Sequence, residues 1–202
     1  MQILVTGFEP FGQDNINASA EILTRLPATL GEHQISTAIL PVSFARAGAA
    51  LEQAIHEHRP EALICLGEAG GRRSITPELW GYNLDEARIA DNDGHQPQTC
   101  EIFPGGPQRI RSSIDPAPLI QTLQQAGIPA ELSEDPGRFL CNHVAFCAYR
   151  SSVPAVFIHV PAARPSGQRA RVGAETDGHA PVGTDLDFDQ LSRAIELCLS
   201  AL

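Results

Sequence analysis

Breaking an acyl bond by thiol chemistry takes three residue types: a cysteine to attack, an imidazole to take its proton, and a carboxylate to orient the imidazole. The chain holds five cysteines, Cys65, Cys100, Cys141, Cys147 and Cys198. Cys141 stands apart by context, in "DPGRFLCNHVAF", just after a Pro-Gly pair and at the start of an apolar, helix-like run. A first helical turn has unpaired N–H groups and the positive end of the helix dipole, and both favour a thiolate. Cys147 falls further along the same run, lacks that help, and is expected to be a small buried thiol. His143 is close in sequence, yet residues two apart on a helix point about 200° apart, so it is not expected to serve Cys141. His159, in "AVFIHVP", is the better imidazole, because it falls near the C-terminal end of an apolar strand-like run, where open α/β sheets present ligand-facing groups. For the carboxylate, spacing leaves Glu68, Glu78, Asp85, Glu86 and Asp91 all open.

Other chemistries are poorly supported. "GEAGGR" follows an apolar run, but it is neither G-x-G-x-x-G nor a Walker sequence and no helical pattern follows it, which argues against nucleotide binding. His56 and His58 are two apart on a helical pattern, and no Cys/His spacing suits a metal, so no metal and no cofactor are expected. A formal charge of −10 disfavours a phosphate-tracking groove, and nucleic acid is an unexpected partner.

These groups need a scaffold, and the pattern of apolar residues supplies one. Strand-like runs occur at "QILVT", "ISTAILPV", "EALICLG" and "AVFIHVP". Helical patterns fall at "ASAEILTRL" behind a possible cap at Asn17, at "SFARAGAALEQAIHEH" from a Ser43 cap, at "PLIQTLQQAG", at "FLCNHVAFCAYRSS" and at "LDFDQLSRAIELCLSAL". Strand followed by helix is the rhythm of an α/β layered sheet. Two segments break it: Gly67 to about Pro107 reads as strands and turns, and "PAARPSGQRARVGAETDGHAPVG" reads as a surface loop, with residues 162–183 a possible lid. A length of 202 residues suits one domain, 1–202. With 43% hydrophobic residues and no apolar stretch long enough for a membrane span, a water-soluble globular protein with no membrane partner is expected. No basic, apolar leader precedes the first strand, and an odd number of cysteines without C-x-x-C pairs suits free thiols, so a cytoplasmic location is expected.

Four segments, in order and spread over nearly the whole chain, resemble the pyroglutamyl peptidase I (pyrrolidone-carboxylate peptidase) family of cysteine peptidases. They are "VTGFEPFG" with the asparagines that follow, "LGEAGGR" through "ARIADNDG", "GRFLCNHV", and "FIHVP". The resemblance implies a three-layer α/β/α sandwich around a mostly parallel sheet. It also implies an exopeptidase that cleaves after an N-terminal pyroglutamyl residue through a thioester, acting on small peptides, and a homo-oligomer, tetramer or dimer. Residue by residue it implies Cys141 as nucleophile, His159 as base and then acid, and Glu78 as the orienting carboxylate. It gives Arg88 to the oxyanion. Phe8, Phe11, Ile89, Phe139 and Leu140 match positions lining the pyrrolidone pocket, and Asn17 and Glu68 match positions near it. The chemistry suits these residue types: a pyroglutamyl terminus is a neutral lactam, needing flat apolar walls and a few hydrogen bonds rather than a carboxylate for an ammonium group.

The chain also departs from the family pattern. Before the nucleophile it has "SEDPG" in place of a Ser-Asn-Ser-Ala-Gly run, and negative charge there is expected to raise a nearby thiol pKa. Ala90 replaces a proline, Arg109 and Arg111 stand about where an aromatic pair is usual, and "AARPSGQRAR" replaces the familiar continuation after "FIHVP". These changes leave open a related cysteine amidohydrolase acting on another small acyl or lactam group, or a family member that binds ligand without turnover.

Overall fold

The computed structural model describes residues 1–166, 168, 170 and 183–202. In chain order the elements are β1 (Gln2–Phe8), α1 (Ala18–Leu23), β2 (Thr29–Leu30), β3 (His33–Leu40), α2 (Ala47–His58), β4 (Ala62–Ala69), β5 (Thr76–Glu78), β6 (Trp80–Tyr82), β7 (Arg109–Arg111), α3 (Pro116–Gln125), α4 (Leu140–Arg150), β8 (Ala155–Pro161) and α5 (Phe188–Ser200). All four apolar runs read from the sequence are strands. They form the parallel heart of one sheet, ordered β2-β3-β1-β4-β8-β5, with β2 and β5 antiparallel at its edges. Buried on both faces, β1, β4 and β8 are almost continuously apolar, as parallel strands under helices must be, whereas β3 is partly exposed and more mixed.

Each face carries its own core. Ile3, Val5, Ile64, Leu66, Val156 and Ile158 point to one side, where α1, α3 and α5 supply Ile22, Leu119, Leu123, Leu191 and Ile195. Leu4, Leu63, Cys65 and Phe157 alternate to the other side, under Leu51 of α2 and Val144 and Ala148 of α4. The result is the expected three layers. No helix interrupts the stretch from Gly67 to Pro107, again as expected; its strands add β5 to the sheet edge and pair β6 with β7 in a small ribbon.

Two helix boundaries differ from the sequence reading by more than two residues. The helix expected from Ser43 begins only at Ala47. The preceding Ser43–Arg46 segment is a turn, closed by Arg46 and Ala47 N–H groups on the Ser43 carbonyl, and the Phe44 amide donates to Asp91 Oδ2 at 2.8 Å. A distant carboxylate therefore anchors this entry, which no local pattern reveals. The helix ends where expected, with Arg59 in the left-handed region (φ 46°) just before Pro60. The first helix stops at Leu23, and Asn17 does cap it, its side chain accepting from the Ser19 amide.

Candidate active site

Cys141 is the second residue of α4, whose N-cap, Phe139, offers no side-chain acceptor to the first turn. The helix is aimed by Asn142, whose amide accepts from Tyr82 N–H at 2.8 Å and donates to the Tyr82 and Leu84 carbonyls at 2.9 and 2.8 Å. That clasp fixes the start of α4 against β6. The Cys141 sulfur then lies over Gly67 of β4, 2.8 Å from where a Cβ on that glycine would stand. Gly67 is the register partner of His159 on β8. Paired residues on neighbouring strands project to the same face about 5 Å apart, so the thiol and the imidazole share one side of the β4–β8 seam.

Glu78 reaches the same place from the edge strand. β5 runs antiparallel to β8 with Glu78 opposite Phe157, so its side chain is the diagonal neighbour of His159. His159 Nδ1 lies 2.7 Å from Glu78 Oε1, and both side chains are 0% exposed. The edge strand is held by Tyr149, whose hydroxyl donates to the Glu78 carbonyl at 2.7 Å and accepts from the Phe157 amide at 3.0 Å. The Phe157 ring meets the His159 ring edge-on at 5.0 Å and limits its rotation. Burial alone would push the Glu78 carboxyl up, but the hydrogen bond and charge of His159 and the nearby Arg72 guanidinium outweigh it and hold the group below its ordinary range. An ionised carboxylate on Nδ1 sets the tautomer and directs Nε2 away from Glu78, as an acyl-transfer base requires.

Arg72 is the residue that sequence reading passed over. Its Nη1 donates to Glu78 Oε1 and to Thr76 Oγ1, and its Nη2 donates to the Asp135 carbonyl at 3.0 Å. The only local signal was its place at the end of "GEAGGR", read there as a loop and not as a side chain. From Arg72 a cleft of about 660 Å³ opens, lined by Glu86, Arg88, Gln98, Arg138 and Phe139 among others. Arg88 is exposed along it, and Phe139, two residues before Cys141, forms part of its wall.

The aromatic walls assemble from three segments. Phe11 and Phe139 approach to 5.4 Å between ring centres, and Phe44 meets Phe139 edge-on at 5.2 Å. Phe44 was read only as part of a helix start. The Phe11 loop is pinned by Asn92, which donates to the Pro10 carbonyl at 2.9 Å and accepts from the Gly12 amide at 3.1 Å. Ile89 is half-buried beside Arg88. Phe8 and Leu140 are buried in the core on the face of α2 and α4. The two remaining residues are engaged in structure. Asn17 accepts from Ser19 and donates to the Glu9 carbonyl. The Glu68 carboxylate accepts from the Ala18 amide at 2.7 Å and from both terminal nitrogens of the buried Arg164.

The altered segments are resolved by their partners. Of the two carboxylates expected to disfavour a thiolate, Glu134 is exposed and Asp135 turns to Arg138 at 2.5 Å and to the Gly137 amide, with its side chain 66% exposed. Its charge is paired and faces water, which weakens its field at Cys141. Without the family proline, the turn after Ala90 is held by Asp91, which accepts from the Phe44, Asp93 and His95 amides. Arg109 covers the Trp80 ring at 3.9 Å. Arg164, from the rebuilt continuation, also bonds Asp14 at 3.0 Å. Most of the segment 162–183 lies outside the described residues. His143, set aside as a partner for Cys141, does turn elsewhere, to Asp85 Oδ2 at 2.8 Å. Cys147, expected in the core, is half-buried and packs against the core cluster on this face.

Comparison with known proteins agrees with this geometry. Residues 1–184 match the family model described as pyroglutamyl peptidase. A pyrrolidone-carboxylate peptidase of Streptococcus pyogenes is 34% identical over 208 aligned positions, covering 100% of this chain and 92% of the relative. Pyroglutamyl peptidase I of Bacillus amyloliquefaciens superposes with a TM-score of 0.84 at 33% identity, over 98% of this chain and 94% of that one. The pyrrolidone carboxyl peptidase of Thermus thermophilus superposes at 0.85 with 32% identity, over 99% and 100% of the two chains.

Proposed function

We propose, from the premise that this chain belongs to the pyroglutamyl peptidase family, how its own residues perform the family's reaction. The chain is a cysteine-type peptidase that removes an N-terminal pyroglutamyl residue. In our reading His159 takes the Cys141 proton, and the sulfur attacks the acyl carbon of the bound pyroglutamyl group. Glu78 holds His159 in the tautomer that accepts at Nε2 and stabilises the imidazolium that forms. The Cys141 backbone N–H and Arg88 meet the oxyanion; donors of this kind contribute about 10²–10³ in rate. The imidazolium protonates the departing amine, and water, activated by the same imidazole, hydrolyses the thioester. Phe11, Phe139 and Phe44 supply apolar walls for the neutral lactam.

The observation that supports these roles is the Glu78–His159 contact of 2.7 Å on the face where the Cys141 sulfur lies over Gly67. The reaction so drawn uses no metal or cofactor. We further propose that the chain acts as a single domain in a cytoplasmic homo-oligomer. Among the described residues no helix is long and apolar enough to cross a membrane. The test is release of a fluorogenic amine from a pyroglutamyl amide. Cys141→Ser should abolish it and a chelator should leave it intact; activity persisting in the serine protein would overturn the assignment of the nucleophile.

A further inference from the structure

α4 carries a second thiol–imidazole–carboxylate series that the peptidase chemistry does not use. His143 and Cys147 are one turn apart, so their side chains leave the helix on the same face. That face meets α2, whereas the Cys141 sulfur lies over Gly67 of β4. At the contact α2 presents Gly48: a Cβ there would stand 3.2 Å from His143 Nε2 and 3.5 Å from the Cys147 sulfur. The absence of a side chain leaves both groups room at one point. The other ring nitrogen of His143 is held by Asp85 Oδ2 at 2.8 Å, and the two side chains are only 11% and 8% exposed. The Phe44 ring closes the imidazole from the side, edge-on at 6.0 Å.

Burial alone would lower the His143 pKa, but the Asp85 carboxylate and a hydrogen bond with Cys147 outweigh it and push the imidazole up to about 10. A protonated imidazole beside sulfur stabilises negative charge on the attacking atom and can protonate a leaving oxygen. The thiols outside these two sites are less favourably placed. Cys65 and Cys198 are buried, and their thiols are pushed up to about 12 by loss of solvent. Cys100 is exposed, with its sulfur near the Asp85 carbonyl, and burial and the Asp85 charge raise its pKa.

We propose that Cys147, with His143 and Asp85, is a second reactive-thiol site, whose co-reactant is a small hydroperoxide and whose product is a reversible sulfenic acid. The sulfur electron pair attacks the terminal oxygen of the hydroperoxide; an S–O bond forms and the O–O bond breaks. Sulfur is oxidised by two electrons, the peroxide is reduced, and the departing alkoxide or hydroxide takes the proton from His143 Nε2. Condensation with a small thiol then releases water, leaves a mixed disulfide, and a second thiol regenerates Cys147.

The test removes the catalytic thiol and leaves the others. The Cys141→Ser protein is treated with hydrogen peroxide in the presence of a sulfenic-acid trap, and the labelled cysteine is located by peptide mass spectrometry. Cys147 should label about tenfold faster than the exposed Cys100, and His143→Gln should bring the two together. Equal rates in the parent, or a Cys147 rate indifferent to His143→Gln, would overturn the proposal. If His143→Gln does not fold, Asp85→Asn takes its place and is read as a fall in the Cys147 rate itself, because Asp85 also acts on Cys100, and the ratio of Cys147 to Cys100 in the parent remains decisive alone.

Discussion

Replacing Gly67 by alanine puts a methyl group into the space that the Cys141 sulfur occupies. The new Cβ would stand 2.8 Å from that sulfur, 2.7 Å from Phe157 Cζ and 3.0 Å from Phe157 Cε1. Ordinary contacts between such atoms are ~3.5–4.0 Å, so the shortfall is about 1 Å. Phe157 is fully buried and wedged against His159, and it has little room to retreat. The sulfur, half-buried on the first turn of α4, is the group that can move, and it moves away from the β4–β8 seam. The φ of Gly67 lies outside the left-handed region, so alanine is conformationally acceptable and the effect is steric. A displacement of about 1 Å from the reacting position costs on the order of 10²-fold, equivalent to about 2.7 kcal/mol of barrier. Crowding against Phe157 adds a stability loss of about 1–3 kcal/mol. Steady-state hydrolysis of a pyroglutamyl amide separates these effects when it is run below the melting transition of the variant. We expect kcat to fall near a hundredfold with KM little changed, because the aromatic walls are untouched. A folded Gly67→Ala protein that keeps most of its kcat would refute the reasoning that this sulfur, over this glycine, is the attacking atom.

Arg72→Met leaves the fully buried Glu78 without its guanidinium, and breaking a buried pair in this way costs about 3–5 kcal/mol; urea unfolding should show a loss near the lower figure, since Arg72 is 21% exposed, with Arg72→Lys recovering part of it. A loss within error of zero would mean that the pair is not formed. The Glu78 carboxyl is held below its ordinary range when folded, so its stabilising contribution is complete above the unfolded value of about 4.3 and is lost as pH falls through the lower folded value. Stability measured across that acid limb should therefore fall more steeply for the wild-type protein than for Glu78→Gln; parallel curves would contradict the linkage. Arg164→Met strands the Glu68 and Asp14 carboxylates and should lower stability by about 3 kcal/mol, read as a shift of the thermal midpoint, whereas an unchanged midpoint would show that the clamp contributes nothing.

Much of this architecture was legible in the chain. Three of the four central strands could be read because a strand buried on both faces has to be apolar throughout, and His159 could be singled out because such strands present their C-terminal ends to ligands. Cys141 was separable from Cys147 by position alone, since only the first turn of a helix has unpaired amides. The carboxylate was not separable: five acidic residues share one irregular stretch, and only the antiparallel pairing of a three-residue edge strand puts Glu78, and not its neighbours, on the diagonal from His159.

Every residue that sequence reading missed has at least one partner far along the chain. Arg72 acts on Glu78 and Asp135, Asn92 on the Phe11 loop eighty residues earlier, and Asn142 on Tyr82. The acidic segment before Cys141 mixes the two: Asp135 pairs with Arg138 three residues on, but its carbonyl is held by Arg72 from far upstream. Periodicity and capping are properties of neighbouring residues and survive in the one-dimensional order. Hydrogen-bond partners and glycine-sized gaps such as those at Gly67 and Gly48 exist only once distant segments have packed, because they depend on distances that packing alone sets.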